Sequence, residues 1–283
     1  KMINNISNYF SNNGYFLLKK FLPKSKLLTI RKKIFKVLEK DENFLPIKNI
    51  SKYSLKSKLL RAANGNLKIN LNNSEAKMSL KSISKKTNSI SIRDPLLKIE
   101  ELNSIVFSSK IINLASKILN SNNIKLGYIK LGIFFHNKLP KNCINYFHTD
   151  DLSKKVNENK KVCKLSFSFL KSSEGVGEFG IIPIKKDKLK FYKQYFTKDY
   201  LEKNIRNKII FPKVSLGDSV IFDPNNFYHT ANKPKKFIRI MFYVEFLGPK
   251  NKILFQNVKI SKSVYNKLDA NKKKLCAHYQ IVN

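Results

Sequence analysis

GDSVIFDPNNFYHTANKPKKFIRIMFYVEFL, residues 217–247, holds two apolar runs around a polar middle. GDSVIFD (217–223) and FIRIMFYVEFL (237–247) are short, rich in Ile, Val, Phe and Tyr, and bounded by Gly, Pro, Asn and Lys, which is the signature of strands and turns. Arg239 interrupts the second run. A guanidinium buried in such a strand costs on the order of several kcal/mol unless an anion meets it. The strand must therefore present Arg239 to an anionic partner inside the fold, and a carboxylate taken in bidentate fashion is the natural one. Met241 and Tyr243 share the face of Arg239, because side chains alternate along a strand.

Four more β-rich runs precede this one: IKLGYIKLGIFF (124–135), CINYFHTD (143–150), VCKLSFSFL (162–170) and GEFGIIPI (177–184). In VCKLSFSFL, Leu165, Phe167 and Phe169 face one way and Lys164, Ser166 and Ser168 the other, with either face free to meet a pocket. FYKQYFTKDYLEKNIRNK (191–208) reads as a helical or irregular excursion. Upstream, residues 6–40 form an opening module: a short helix, a break at Gly14, a strand-like YFLLKKF, then a helix from Pro23 and Ser25. Leu27, Leu28, Ile30, Ile34, Val37 and Leu38 fall near helical spacing in that helix. Residues 46–92 are polar and read as an irregular insertion, a flap over a site. Residues 94–121 return to helical periodicity through Leu96, Leu97, Ile99, Leu102, Ile105, Val106, Ile111, Ile112, Leu114 and Ile118. The pattern predicts one mainly β domain over 1–283. Helical and strand elements occupy 1–123, the β core 124–250, and an extension 251–283.

Bulk properties narrow the function. The 283 residues are 42% hydrophobic and 12% aromatic, a globular composition. No run of eighteen or more apolar residues is present to span a bilayer, and KMINNISNYFSNNGYF lacks the order of a secretory signal. Cys143, Cys163 and Cys276 are odd in number and form no C-x-x-C, which points to free thiols in a reducing, cytoplasmic setting. Lys and Arg number 56 against 19 Asp and Glu, a net charge of +37. Only five of the 56 are arginines, namely Arg31, Arg61, Arg93, Arg206 and Arg239. Arginine is the preferred fork for phosphates and base edges, so this composition argues against a dedicated nucleic-acid reader. What remains is a surface field that attracts anionic small molecules.

NYFHTDD (145–151) supplies the chemistry. Residues two apart share a strand face, so His148 projects with Asp150 while Asp151 turns away with Thr149. An imidazole beside a carboxylate is two thirds of the facial triad that holds non-haem Fe(II). His229, between the two runs quoted first, is the candidate third ligand, and Arg239 follows ten residues later. Tyr146 shares the face of His148 and Asp150. Lys130, in the first core strand, reads either as a solvated lysine or as one reaching an anion. His136 reads as a loop-edge histidine, His278 as a solvated one, and Cys163 as a packed thiol. Asp223 and Asn225 read as turn formers, with Asp223 also a candidate to support a ligand. Arg93 reads as a surface ion pair or a contact to an anionic substrate.

HTD at 148–150, the GDSVIFD run leading to His229, and Arg239 together resemble the phytanoyl-CoA dioxygenase family of Fe(II)- and 2-oxoglutarate-dependent oxygenases. NGYFLLKKFLPKSKLLTIRKKI (13–34) is similar to that family's opening strand and helix. The resemblance implies a double-stranded β-helix, with iron held by His148, Asp150 and His229 and the distal carboxylate of 2-oxoglutarate held by Arg239. Lys130 and Tyr146 are the further candidates on the cosubstrate side. The implied reaction uses dioxygen to hydroxylate a small or medium-sized metabolite, anionic or carrier-linked given the lysine-rich field, as 2-oxoglutarate becomes succinate. An acid at position 150 favours hydroxylation over halogenation. The chain departs from the family at IIPIKKDK (181–188), where a Pro-Gly-Ser-His turn is common, and at Phe147, where Trp is common. A second hypothesis is a non-catalytic basic module for nucleic acid or acidic glycan. It predicts loss of at least one of His148, Asp150, His229 and Arg239, and all four are present.

Overall fold

Alternation along the strands sorts side chains onto two faces, and the two faces meet different partners. The computed structural model describes residues 2–38, 89–92, 94–135, 146–151, 161–169, 178–189, 208–231, 239–253 and 258–283, with shorter pieces at 153, 155–156, 195–197, 200 and 203–205. Helix α1 (Met2–Asn13) ends at Gly14, where φ is +76°, and strand β1 (Tyr15–Leu18) follows. Glycine is required there twice over: the left-handed φ disfavours any side chain, and a Cβ would sit 2.2 Å from the Phe227 ring. Helix α2 (Lys24–Leu38) places Leu27, Ile30 and Ile34 on its buried side. Most of the polar insertion expected at 46–92 lies outside the described residues, but its end forms β2 (Ser89–Ser91).

The 94–121 periodicity is realised as three α-helices, α3 (Pro95–Lys98), α4 (Asn103–Val106) and α5 (Ser109–Leu119). Strands β3 (Lys125–Phe134), β4 (Tyr146–His148), β5 (Val162–Ser168), β6 (Phe179–Lys185), β7 (Tyr195–Thr197), β8 (Ser219–Phe222), β9 (Phe227–Ala231) and β10 (Arg239–Leu247) build the core. A closing segment adds β11 (Lys259–Ser261), α6 (Lys262–Asn266), α7 (Ala270–Leu275) and β12 (Gln280–Val282). The Tyr279 hydroxyl ties it to the barrel by donating to the Gly127 carbonyl at 2.7 Å.

The strands form two antiparallel sheets, ordered β1-β8-β5-β10-β3-β2 and β6-β9-β4-β7, while β11 and β12 make a small parallel pair. On the outer face of the larger sheet, Leu165, Phe167, Phe169, Ile240, Phe242 and Val244 pack with the helices in the main core. Between the sheets, Tyr15, Val220 and Phe222 from one meet Phe179, Ile181 and Phe227 from the other. Phe147 and Tyr228 lie on the far side of the smaller sheet with Ile182, Leu189 and Ile205. Hydrophobic burial on both sides of each sheet is what fixes strand register, since a slip of one residue would exchange the faces. The interior between the sheets is apolar at the β1–β8 side and polar further in. There Lys164, Ser166 and Ser168 of β5 face Glu245, Tyr243 and Met241 of β10 across the ladder.

The differences from the sequence reading are local. The 191–208 excursion contains the strand β7, which pairs with β4. His229, left between the two runs without an element of its own, sits in the strand β9. No helix among the described residues is long and apolar enough to cross a membrane.

Candidate metal centre

His148 and His229 are direct cross-strand partners in the β4–β9 ladder, so both rings leave the same face of the smaller sheet. Their centroids are 4.5 Å apart. Asp150 follows β4, and its position is set by the backbone: its N–H donates to the Pro224 carbonyl at 2.7 Å. Asp223 shapes the turn carrying that carbonyl, accepting from the Asn225 and Asn226 backbone and from the Asn226 side chain. It is the turn former expected. Asp151 faces away and accepts from the Lys186 ammonium at 3.1 Å, a lysine whose side chain is entirely buried. The two adjacent acids thus divide the labour, Asp150 entering the site and Asp151 anchoring the loop.

One ligand atom from each of His148, Asp150 and His229 lies within 4.8 Å of the others. Asp150 Oδ1 is 3.5 Å from His148 Nε2 and 3.8 Å from His229 Nε2. His148 and Asp150 keep about a third of their side-chain surface open (31% and 30%), while His229 keeps 9% and forms the back wall. Two imidazoles and one acid, converging from one side with the other side open, are the donor set that suits ferrous iron with exchangeable positions. Burial pushes the His229 imidazole down to about 3, with the neighbouring His148 adding to the effect, so it is neutral and able to bind metal near pH 7. Burial would raise the Asp150 carboxyl, but the Lys164 ammonium and then the two imidazoles outweigh it and hold it well below the usual carboxylate range.

Arg239 opens β10 on the inner face and is 3% exposed. Its Nε and Nη1 atoms are buried and have no hydrogen-bond partner among the described residues. Burial lowers its pKa, with Tyr243 and Glu178 acting against that shift. A buried guanidinium with two N–H groups lacking a partner among the described residues could hold an anion, since such donors cost free energy until an acceptor reaches them. Lys130 pairs in register with Tyr243, four residues along β10 from Arg239, and is half-buried. Burial, with the Lys164 charge, lowers its ammonium to about 8. Met241 is buried on the same face.

Among the other sequence candidates, Tyr146 takes its place in β4 opposite Thr197, its side chain lying outside the described atoms. His136, Cys143 and Arg93 lie outside the described residues. Cys163 is a buried free thiol, as read. His278 is not solvated: it is half-buried, and its Nε2 is enclosed without a hydrogen-bond partner among the described residues. The sequence reading passed over Lys164 and Glu245. The signal existed, because the argument applied to Arg239, a charge in an apolar strand, applies equally to Glu245 six residues on and to Lys164 in VCKLSFS.

No protein-family profile matches the chain, and no curated protein matches it in sequence. Solved structures do match it in shape. The epimerase SnoN, in complex with Fe3+, alpha ketoglutarate and nogalamycin RO, superposes with a TM-score of 0.57 at 11% identity, over 87% of this chain and 83% of that one. This fold is a double-stranded β-helix. SnoK, a non-heme alpha ketoglutarate dependent carbocyclase from nogalamycin biosynthesis, shares that β-helix at TM-score 0.55 and 14% identity, over 86% of this chain and 83% of its own. EctD from S. alaskensis, solved with 2-oxoglutarate and 5-hydroxyectoine, gives 0.54 and 11%, over 88% and 77%.

Proposed function

We propose that this protein is a non-haem Fe(II)- and 2-oxoglutarate-dependent oxygenase that hydroxylates a small or medium-sized, anionic or carrier-linked metabolite. The observation that carries the reading is the convergence of His148, Asp150 and His229 within 4.8 Å beside a buried Arg239 whose donors lack a partner. The fold neighbours support the reaction class at its coarsest, since their names span an epimerase, a carbocyclase and an enzyme solved with 5-hydroxyectoine.

The two imidazole Nε2 atoms and Asp150 Oδ1 would hold the metal, and Arg239 the distal carboxylate of 2-oxoglutarate. When bound, iron and 2-oxoglutarate together supply the oxidising chemistry, with succinate and carbon dioxide as coproducts. This chain's own residues do the rest. Cross-strand pairing fixes the angle between the imidazoles, and the Asp150 backbone hydrogen bond to Pro224 prevents the acid from swinging out. The Phe222 ring, 4.9 Å from His229, closes the apolar side against water. Lys130, across the ladder from Tyr243 and under the influence of the Lys164 and Asp150 charges, suits a second anionic group, from either the cosubstrate or the metabolite.

The test is succinate release from 2-oxoglutarate in the presence of Fe(II), oxygen and reductant, which registers uncoupled turnover without the metabolite. Wild-type protein should form succinate, and His148→Ala, Asp150→Ala and His229→Ala should reduce it at least about a hundredfold, in line with the loss of a ligand and its geometry. Equal succinate from wild type and His148→Ala would defeat the reading.

A further inference from the structure

The Asp150 carboxylate has two oxygens in different company. Oδ1 looks toward both imidazoles, 3.5 Å from His148 Nε2 and 3.8 Å from His229 Nε2, while Oδ2 is in contact with Lys164 Nζ. Lys164 comes from the opposite sheet. It projects inward from the middle of β5 with its side chain 7% exposed, opposite Glu245 on one flank and Phe222 on the other. Its ammonium lies 3.7 Å from Glu245 Oε1 and 4.6 Å over the Tyr128 ring.

Glu245 is aimed at it by a defect in the sheet. The β10–β3 register shifts between Val244 and Phe246, leaving Gly127 and Tyr128 to span the bulge. The Tyr128 N–H donates to Glu245 Oε2 at 3.4 Å, and a Cβ on residue 127 would sit 2.3 Å from that oxygen. Bulges beside active sites commonly redirect one side chain in this way. The lysine is thus enclosed by an acid and an aromatic face behind it and by Asp150 in front. It has no solvent to retreat to, since a buried ammonium cannot leave its carboxylates without a large loss.

We propose that Lys164 is a positioning residue that occupies one oxygen of Asp150, so that the acid offers the metal only the other. A carboxylate free to rotate can give both oxygens to a divalent cation, as acids do in many metal sites. Here that would use a coordination position needed by a chelating cosubstrate. The clamp limits the protein to three donor atoms and leaves the opposite face open. Glu245 offsets the repulsion between the ammonium and a nearby divalent cation, which explains an acid in an otherwise apolar strand. This inference rests on the metal-site reading above, and it concerns donor count rather than turnover.

The experiment uses the full chain loaded with Co(II), whose visible absorption reports coordination, titrated with 2-oxoglutarate under nitrogen. Lys164→Met should still bind Co(II) but bind 2-oxoglutarate about tenfold or more weakly, the range seen when groups supporting metal ligands are removed. Lys164→Arg, which restores a cationic donor, should recover most of that loss. Lys164→Met holding 2-oxoglutarate as tightly as wild type would overturn the clamp. A crystal structure of wild-type Co(II) protein gives a second reading that requires no variant to fold. It should show Asp150 bound through one oxygen with Lys164 on the other, and both oxygens on the metal would refute the proposal. Identical Co(II) binding by wild type and His148→Ala would overturn the metal site itself, and the clamp with it.

Discussion

Arg239 and His229 are buried groups of opposite habit, one kept as a cation and one kept neutral, and each makes a separate prediction. Arg239 faces the interior with Nε and Nη1 lacking partners among the described residues. Its ligand should therefore contribute charge-assisted hydrogen bonds of about 1.5–3 kcal/mol each. Arg239→Ala should weaken 2-oxoglutarate binding on the order of a hundredfold while leaving Fe(II) or Co(II) binding within about threefold, as isothermal titration of each would report. An equal loss of metal would mean that the guanidinium supports the fold rather than the cosubstrate. His229 is the reverse case, because burial depresses its pKa to about 3. The unfolded chain takes up a proton near pH 6.5, whereas the folded chain resists it until about pH 3. The neutral ring's contribution is thus complete above pH 6.5 and is lost as pH falls between those limits. Asp150, held low by Lys164, adds a loss only below its ordinary value near 4. Metal-free protein should therefore lose urea stability steadily from pH 7 to pH 4.5, and His229→Gln should flatten that slope. An unchanged slope in the variant would show that His229 is not the titrating group.

A strand carries its information in pairs, and that governs how much of each element was legible. The long runs around Ile133, Phe167 and Phe242 were readable because five or more alternating residues commit each face to a core. The three-residue strands β2 and β7 were not, since a stretch that short has no periodicity of its own and exists only through its ladder partner. His229 was assigned to the site but not to a strand, for the same reason: FYHTA gains its register from His148 and Ile181. The facing of Ser166 and Ser168 was open in the sequence and is settled by their neighbours, Tyr243 and Met241. Where an element is held from outside, the holding contact should be measurable. Asp151 joins the loop after β4 to Lys186, whose side chain is wholly buried. Removing the acid strands that ammonium, and breaking a buried pair from one side costs about 3–5 kcal/mol at full burial. Asp151 keeps 31% of its side chain exposed, so a value nearer about 2 kcal/mol is expected for Asp151→Ala. Lys186→Met, which removes the charge and keeps the stem, should cost less. Urea midpoints of the two variants decide the order, and a more harmful Lys186→Met would show that the lysine has a second role.

At the scale of the molecule the order of the strands announced a mainly β domain, the resemblance carried by HTD, His229 and Arg239 implied the β-helix, and the placement of charge was only partly legible. Lysines and arginines outnumber acids 56 to 19 over the chain, yet the charges at the centre are nearly balanced: Lys164 meets Asp150 and Glu245, Lys130 is acted on by Asp150, and Glu178 acts on Arg239. The excess of +37 therefore belongs outside the centre. Two effects of salt oppose each other there. Exposed ion pairs such as Lys272 with Asp269 are weakened by screening. Repulsion among the unmatched cations is relieved by the same screening, and the cations without an acid far outnumber those with one. The screening length falls from about 30 Å at 0.01 M to about 8 Å at physiological ionic strength, so most of the relief comes in that interval. The thermal midpoint should rise as sodium chloride is raised through this range and then level off. Circular dichroism melts at fixed pH measure it, and chloride and fluoride salts should act alike if screening is the cause. A midpoint that falls with salt would mean that local ion pairs, rather than the net field, set the electrostatic part of the stability.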